Sequence, residues 1–409
     1  MNAELLSVGT EILLGEILNT DAQFLSASLA ELGIDTYFQT VVGDNAKRLS
    51  DALQLALSRS SIVIASGGLG PTPDDITKEV IADVMGEKLV LHEESLERMK
   101  AYFKKNNRQM PESNIKQAMM PENSIILQNN CGTAPGCIIE KDGKIVIMLP
   151  GPPNELTAMY KESVVPYLSK KTEEKLFTKT YHIFGMGESK VAEIFSDLME
   201  SGTNPSVAPY AKTSEVYLRL AVKAKDEAEA ALAMQKTEER IKGELGDLIY
   251  SEDGKSLNEV AVSLLKKNGH RVSFAESCTG GLCAKMLTDV SGASEVFSES
   301  YITYANESKE KILGVSHETL ERYGAVSEQT AREMAEGVKR ISGADIGVGI
   351  TGVAGPGCSE NKPVGLVFVA VSFDGKTDVL KLTLTGSRDR IRYVTCLNVF
   401  DLIRRKYIK

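Results

Sequence analysis

The sequence predicts an α/β protein in three parts, with an α/β segment at each end and a smaller α+β module between them. Three observations carry this. Short β-branched runs such as 61–65 (SIVIA) and 144–149 (KIVIML) have the unbroken apolar character of strands buried on both faces of a sheet. Each leads into a Gly- or Pro-rich loop and then a helical pattern, the alternation that produces a largely parallel sheet. Between about 171 and 252 that alternation stops, and with it the glycine-rich strand ends.

Taken in order, residues 4–8 (ELLSV) read as a first strand. Apolar positions at Leu13, Ile17, Leu18, Phe24, Leu25, Leu29 and Leu32 then follow a helical period, and Gly33 stops it. A strand over 37–42, a helix over 45–59 and the strand 61–65 precede the loop SGGLGPTPDD, and a helix begins there with ITKEVIADVM. Residues 92–108 read as a charged helix, and strand 144–149 ends in PGPPNE. This gives a first domain over 1–170. The module 171–252 holds strands near 176–184 and 214–224 and helices near 188–200 and 226–244, a KH-like or ferredoxin-like pattern. Its turn GMGES lacks the G-x-x-G spacing of an RNA-clamping KH loop, so a spacer or dimerisation role is expected. The third domain, 253–409, has a helix over 256–268, a strand over 271–275 and a helix over 328–341. Strands 345–350 and 364–373 follow, and a last helix starts at about 388.

The 409 residues are 42% apolar and 25% charged, with a net charge of −9. That balance argues against a nucleic-acid carrier, because contact with a phosphate backbone wants a basic face. The first residues lack the basic start and cleavage site of a secretory signal. No apolar run approaches the roughly 18–20 residues that span a bilayer. The expected compartment is the cytoplasm. Cys131, Cys137, Cys278, Cys283, Cys358 and Cys396 show no C-x-x-C or zinc-site spacing and are expected to be reduced thiols. Four histidines make a His-rich metal site unexpected.

Glycines after a buried strand allow backbone N–H groups to approach a phosphate, and the following helix adds its positive end. The loop GGLGP fits that use. Thr72, Pro73 and Asp75 also read as a helix cap, which explains them without any ligand. Asp74 and Asp75 would repel a phosphate unless a divalent cation such as magnesium sat between them.

Several long motifs, SVGTEILLGEILNTDAQFLSASLAELGI, SGGLGPTPDDITKE and LPGPPNEL, resemble the CinA family, named for competence and damage induction. The resemblance runs from end to end of the chain. It implies a first domain with the fold of molybdopterin-binding proteins such as MoeA and MogA, splitting ADP-ribose into AMP and ribose 5-phosphate with a divalent metal. The residues carried over are Gly9, Thr10, Glu11, Asn19, Gly67, Gly68, Gly70, Thr72, Asp74 and Asp75, with Pro150, Gly151, Pro152, Asn154 and Glu155. Asp74 and Asp75 would hold the metal or orient the attacking water.

The segments AESCTGGLCAKMLTDVSGAS, YITYANESKEKILGV, YGAVSE, GITGVAGPG, KPVGLVFVAV and GSRDRIR resemble the family's C-terminal domain. The implied activity is the deamidation of nicotinamide mononucleotide, with release of ammonia and no cofactor. Amide hydrolysis needs a nucleophile, a base and oxyanion donors. Cys278 lacks a nearby histidine, since His270 lies at the far end of the preceding strand. A serine paired with a desolvated lysine needs none. Ser294, Tyr304 and Lys309 form such a set, and the resemblance points to them; Ser294 could equally be a helix cap, and Ser277 is the next candidate nucleophile. Ser277, Thr279, Gly280 and Gly281 read as a substrate-holding loop with Glu276 as an orienting group, and Thr351, Gly352 and Gly355 as a second backbone cradle. Arg388, Arg390 and Arg392 stand where a helix begins, a position that disfavours cations unless an anion is shared; Arg390 or Arg392 is the expected substrate contact. The combined expectation is a bifunctional hydrolase of pyridine nucleotide salvage that forms a homodimer and binds neither membrane nor nucleic acid. The alternatives are a DNA-damage factor or a pterin binder with little or no catalysis.

Overall fold

In a computed structural model that describes residues 1–201 and 204–407, the chain forms two compact units, Met1–Phe177 with Val222–Ala233 and Thr178–Ala221 with Met234–Lys409. The first unit contains β1 (Asn2–Val8), β2 (Asp35–Val42), β3 (Ile62–Ser66), β4 (Leu89–Leu91), β5 (Met119–Pro121), β6 (Ile125–Leu127), β7 (Gly136–Lys141) and β8 (Lys144–Leu149). Its main sheet has the order β2-β1-β3-β8-β7-β6, with β4 and β5 forming a separate ribbon. Strands β2, β1, β3 and β8 run parallel, and β7 and β6 are antiparallel. Alternate residues of the strands feed different cores. Leu5, Ile64 and Ile147 pack with Leu29 and Tyr160, whereas Leu6, Val63 and Val146 pack with Leu53 and Ile81. The parallel register brings the carboxyl ends of β1, β3 and β8 together, and the loops opening at Gly9, Gly67 and Pro150 converge there. This is the ligand edge of an open α/β sheet.

Two local expectations change. The helix expected from Leu13 begins at Thr20. Residues Thr10–Leu13 form one short turn, and Gly15 at φ 73° leads the chain out of it. Asn19 caps the helix Thr20–Glu31, its Oδ1 accepting from the Ala22 N–H at 3.1 Å. Leu13, Leu14, Ile17 and Leu18 are therefore exposed. The helix after the glycine loop begins at Thr77, with Ile76 as a cap that has no side-chain bond. Thr72 and Asp75 close a preceding turn: the Thr72 N–H and hydroxyl both donate to the Asp75 carboxylate.

The middle module is a four-stranded sheet, most of it in the second unit: β9 (Lys175–Phe184), β10 (Ser206–Lys212), β11 (Glu215–Ala224) and β12 (Ile249–Ser251), in the order β10-β11-β9-β12. The C-terminal sheet comprises β13 (Val272–Glu276), β14 (Phe297–Ile302), β15 (Ile346–Gly352), β16 (Leu366–Phe373) and β17 (Lys376–Thr383). Its order is β14-β13-β15-β16-β17. The first three strands are parallel and the last two antiparallel, so the sheet is mixed. One core joins Phe184 and Tyr250 of the middle module to Phe274, Val348, Ile391 and Phe400. No helix among the described residues is long and apolar enough to cross a membrane.

Candidate functional site

The carboxyl edge of the first sheet encloses a cavity of about 550 Å³. Gly9, Glu11, Asn19, Gly67, Gly68, Gly70, Asp74, Asp75, Pro150, Gly151, Pro152 and Glu155 all line it. Thr10, Thr72 and Asn154 are not among the lining residues. Thr10 instead donates to Asp44 from its N–H (3.0 Å) and its hydroxyl (2.7 Å). Gly67 is obligatory here: at φ 93°, a Cβ would lie 2.2 Å from the Val8 carbonyl oxygen. Lys116 holds the Thr72–Asp75 turn in place, its Nζ donating to the carbonyls of Thr72 and Asp75. Glu155 accepts from Asn129 Nδ2 at 2.6 Å. The sequence reading missed Asp21, Asp44, Gln117 and Thr133 on this wall. Burial raises the Asp21 carboxyl to about 6. Its only sequence signal is its place within NTD, beside Asn19. Among the described residues, no three His, Cys, Asp or Glu side chains gather as a metal cluster.

A second cavity, of about 430 Å³, lies at the carboxyl edge of the C-terminal sheet. Its base is a serine–lysine pair. Ser277 follows β13, and its N–H donates to the Ile350 carbonyl of neighbouring β15 at 3.0 Å. Lys309 follows β14 and is 1% exposed. Its Nζ donates to the carbonyls of Thr303 (3.0 Å) and Tyr304 (3.1 Å) and lies 3.4 Å from Ser277 Oγ. Burial holds Lys309 below the ordinary lysine value. Nζ thus has three acceptors in reach, the two carbonyls and Ser277 Oγ; once it loses a proton, its lone pair can instead take the Ser277 hydroxyl as a donor.

Several predicted residues take other places. Ser294 is exposed on the short turn Ala293–Glu295 before β14, at the opposite end of the sheet from Lys309, so the two do not meet. Tyr304 lines the cavity, but its phenol accepts from Arg388 Nη2 at 3.3 Å and only its carbonyl reaches Lys309. The Gly281 N–H does not face the cavity. The fully buried Glu276 carboxylate accepts from the N–H groups of Gly281 (2.9 Å), Cys283 (3.2 Å) and Ala284 (2.9 Å). Glu276 thus fills the start of the helix Leu282–Thr288 that the sequence reading left for a substrate. Thr279, Gly280 and Gly281 are not lining residues, whereas Thr351, Gly352 and Gly355 are. Burial pushes the Cys278 thiol up to about 12, which disfavours the thiolate. Arg392 donates to the Thr279 carbonyl and Arg390 to that of Thr385, so both hold backbone. Arg388 is the arginine on the wall, with Nη1 donating to the Gly355 carbonyl at 2.6 Å. Asn306, Ser359 and Glu360 also line the cavity and were missed.

Comparison with known proteins covers almost the whole chain. Residues 4–170 match the family described as "Probable molybdopterin binding domain", residues 178–251 the "Damage-inducible protein CinA KH domain", and residues 254–407 the "CinA C-terminal domain". A Clostridium novyi relative named for competence-damage induction is 52% identical over 410 residues, spanning 100% of this chain and 99% of that one. A CinA-like protein of Kosmotoga olearia is 50% identical over 406 residues, spanning 99% and 98%. A crystal structure of the protein CinA from Thermoplasma acidophilum is 36% identical, covers 41% of this chain and 98% of that one, and has a TM-score of 0.38.

Proposed function

The chain belongs to the CinA family, and from that premise we propose that it is a hydrolase with two sites, a nicotinamide mononucleotide deamidase in the C-terminal domain and a metal-dependent ADP-ribose hydrolase in the N-terminal one. The observation that carries the first activity is the buried Lys309 amine 3.4 Å from Ser277 Oγ in an open cavity. Ser277, not Ser294, is the nucleophile in this reading. Its oxygen attacks the carboxamide carbon while Lys309 takes its proton. The carbon–nitrogen bond then breaks, Lys309 returns the proton to the departing nitrogen, and ammonia leaves. Water attacks the resulting ester, restores the serine hydroxyl and releases nicotinate mononucleotide. The carbonyls of Thr303 and Tyr304 hold the amine in place throughout. Arg388 is the cation available for the substrate phosphate.

Ammonia release from nicotinamide mononucleotide tests this directly. Ser277→Ala and Lys309→Met are each expected to lose at least about 10³-fold in kcat, while Ser294→Ala stays within about twofold. Full activity in Ser277→Ala would remove the serine from the mechanism.

For the N-terminal cavity, Asp74 and Asp75 offer hard oxygen donors beside a glycine loop. They fit a magnesium-like cation, which binds through one or two carboxylates together with substrate phosphates. When bound, such a cation offsets phosphate charge and lowers the pKa of water. The chain's own part is to hold the glycine loop with Lys116 and the Thr72–Asp75 turn, and to line the cavity with Asp21, a carboxyl able to carry a proton near neutrality.

A further inference from the structure

Hydrolysis by Ser277 and Lys309 leaves one charged group of the C-terminal cavity without a task. Among its described lining residues, Glu360 is the one carboxylate, and the basic side chains are Lys309 and Arg388. Glu360 is firmly placed. Its carboxylate accepts from the N–H groups of Ala325 (2.9 Å) and Val326 (3.2 Å) and from Lys362 Nζ (3.1 Å). Lys362 is itself anchored by donating to the Tyr323 carbonyl at 2.8 Å. Glu360 and Asn361 occupy left-handed backbone at φ 52° and 58°, a costly conformation for two successive non-glycine residues that a local clamp must hold. The Glu360 side chain remains 32% exposed, so the clamp does not bury the charge. Burial alone would raise its carboxyl, but the two backbone donors and Lys362 outweigh that and keep it ionised.

We propose that Glu360 reads the charge of the substrate ring, its carboxylate facing the cationic pyridinium while Arg388 takes the phosphate. This rests on the deamidase reading and names what the site selects within it. The substrate is a cation at the ring and an anion at the phosphate. With Lys309 neutral, as its role as base requires, Arg388 would attract the phosphate but the cationic ring would meet no counter-charge. One fixed carboxylate supplies that counter-charge, and it gives a reason to prefer an oxidised pyridinium nucleotide over its neutral dihydropyridine counterpart, which has almost the same shape.

The test is calorimetric and uses full-length Ser277→Ala, so that substrate is not consumed. Dissociation constants are measured for nicotinamide mononucleotide and for its reduced, neutral-ring form. Ser277→Ala is expected to prefer the oxidised form by about tenfold or more. Adding Glu360→Gln should bring that preference to within about twofold, with the constant for the reduced form nearly unchanged. Adding Glu360→Asp, which keeps the charge, should retain most of it. The proposal is overturned if Glu360→Gln keeps the preference, if both constants rise together as a loosened loop would make them, or if Ser277→Ala binds neither mononucleotide. The deamidase reading fails on a separate result, the absence of ammonia release by the unsubstituted protein, so the two failures can be told apart.

Discussion

At the scale of single residues, the chemistry of the C-terminal site depends on the protonation state of Lys309. As an ammonium it has no lone pair and cannot take the Ser277 proton. Burial lowers its pKa, so the neutral amine becomes available at lower pH than for an exposed lysine. The sign follows. kcat/KM for deamidation should rise with pH, about tenfold per unit, until the folded Lys309 value is passed, and should level off below the usual lysine range. A pH–rate profile checks this, and a profile that falls across the same range would exclude Lys309 as the base. The separation of Ser294 from Lys309 also belongs to this scale. Ser294 is close to Lys309 in sequence, but one precedes and the other follows β14, a strand of 6 residues. At about 3.3 Å per residue that strand holds them roughly 20 Å apart. Ser277 is far from Lys309 in sequence, yet it ends a neighbouring parallel strand and so emerges at the same edge.

Among the elements, the helix Leu282–Thr288 depends on Glu276. Its first N–H groups have no intrahelical partner, and the Glu276 carboxylate, itself fully buried, accepts three donors in the Gly281–Ala284 segment. Glu276→Gln keeps the shape but removes the charge and turns an NH₂ group toward donors. The expected loss is about 2 kcal/mol, seen as faster amide hydrogen exchange across 281–288 and a lower unfolding midpoint; unchanged exchange there would deny Glu276 this role. Much of the element pattern was legible in the sequence, because buried parallel strands such as β3 and β8 are continuous β-branched runs. The antiparallel partners β7 and β17 went unread although their signal was present. Each is joined to its neighbour by an Asp-Gly pair, Asp142-Gly143 and Asp374-Gly375, with both residues at positive φ. That is the turn that pairs adjacent antiparallel strands. The role of Glu276 was not legible at all, since a carboxylate before two glycines looks the same whether it serves a substrate or a helix end.

At the scale of the whole molecule, the cavities are lined by separate sets of residues, one wholly within Met1–Phe177 and the other wholly within Met234–Lys409. Their chemistries also differ in what they need from outside the chain. In the proposed deamidation, the serine–lysine pair supplies its own nucleophile and base. The N-terminal cavity sets acidic side chains beside a glycine-rich loop, where a phosphate would be repelled unless a cation intervened. The two proposed activities should therefore respond to opposite treatments. Asp74→Asn should reduce AMP formation from ADP-ribose by about 10²-fold or more and leave ammonia release within about twofold, because Asp74 lines only the first cavity. Chelation with EDTA should abolish AMP formation, restored by excess magnesium, and leave deamidation intact. Lys309→Met should give the reverse pattern. Measuring both products on the same preparations checks the whole set. AMP formation that persists in EDTA would separate Asp74 and Asp75 from any metal and leave Asp21, whose carboxyl is raised to about 6 by burial, as the proton-carrying group to test next.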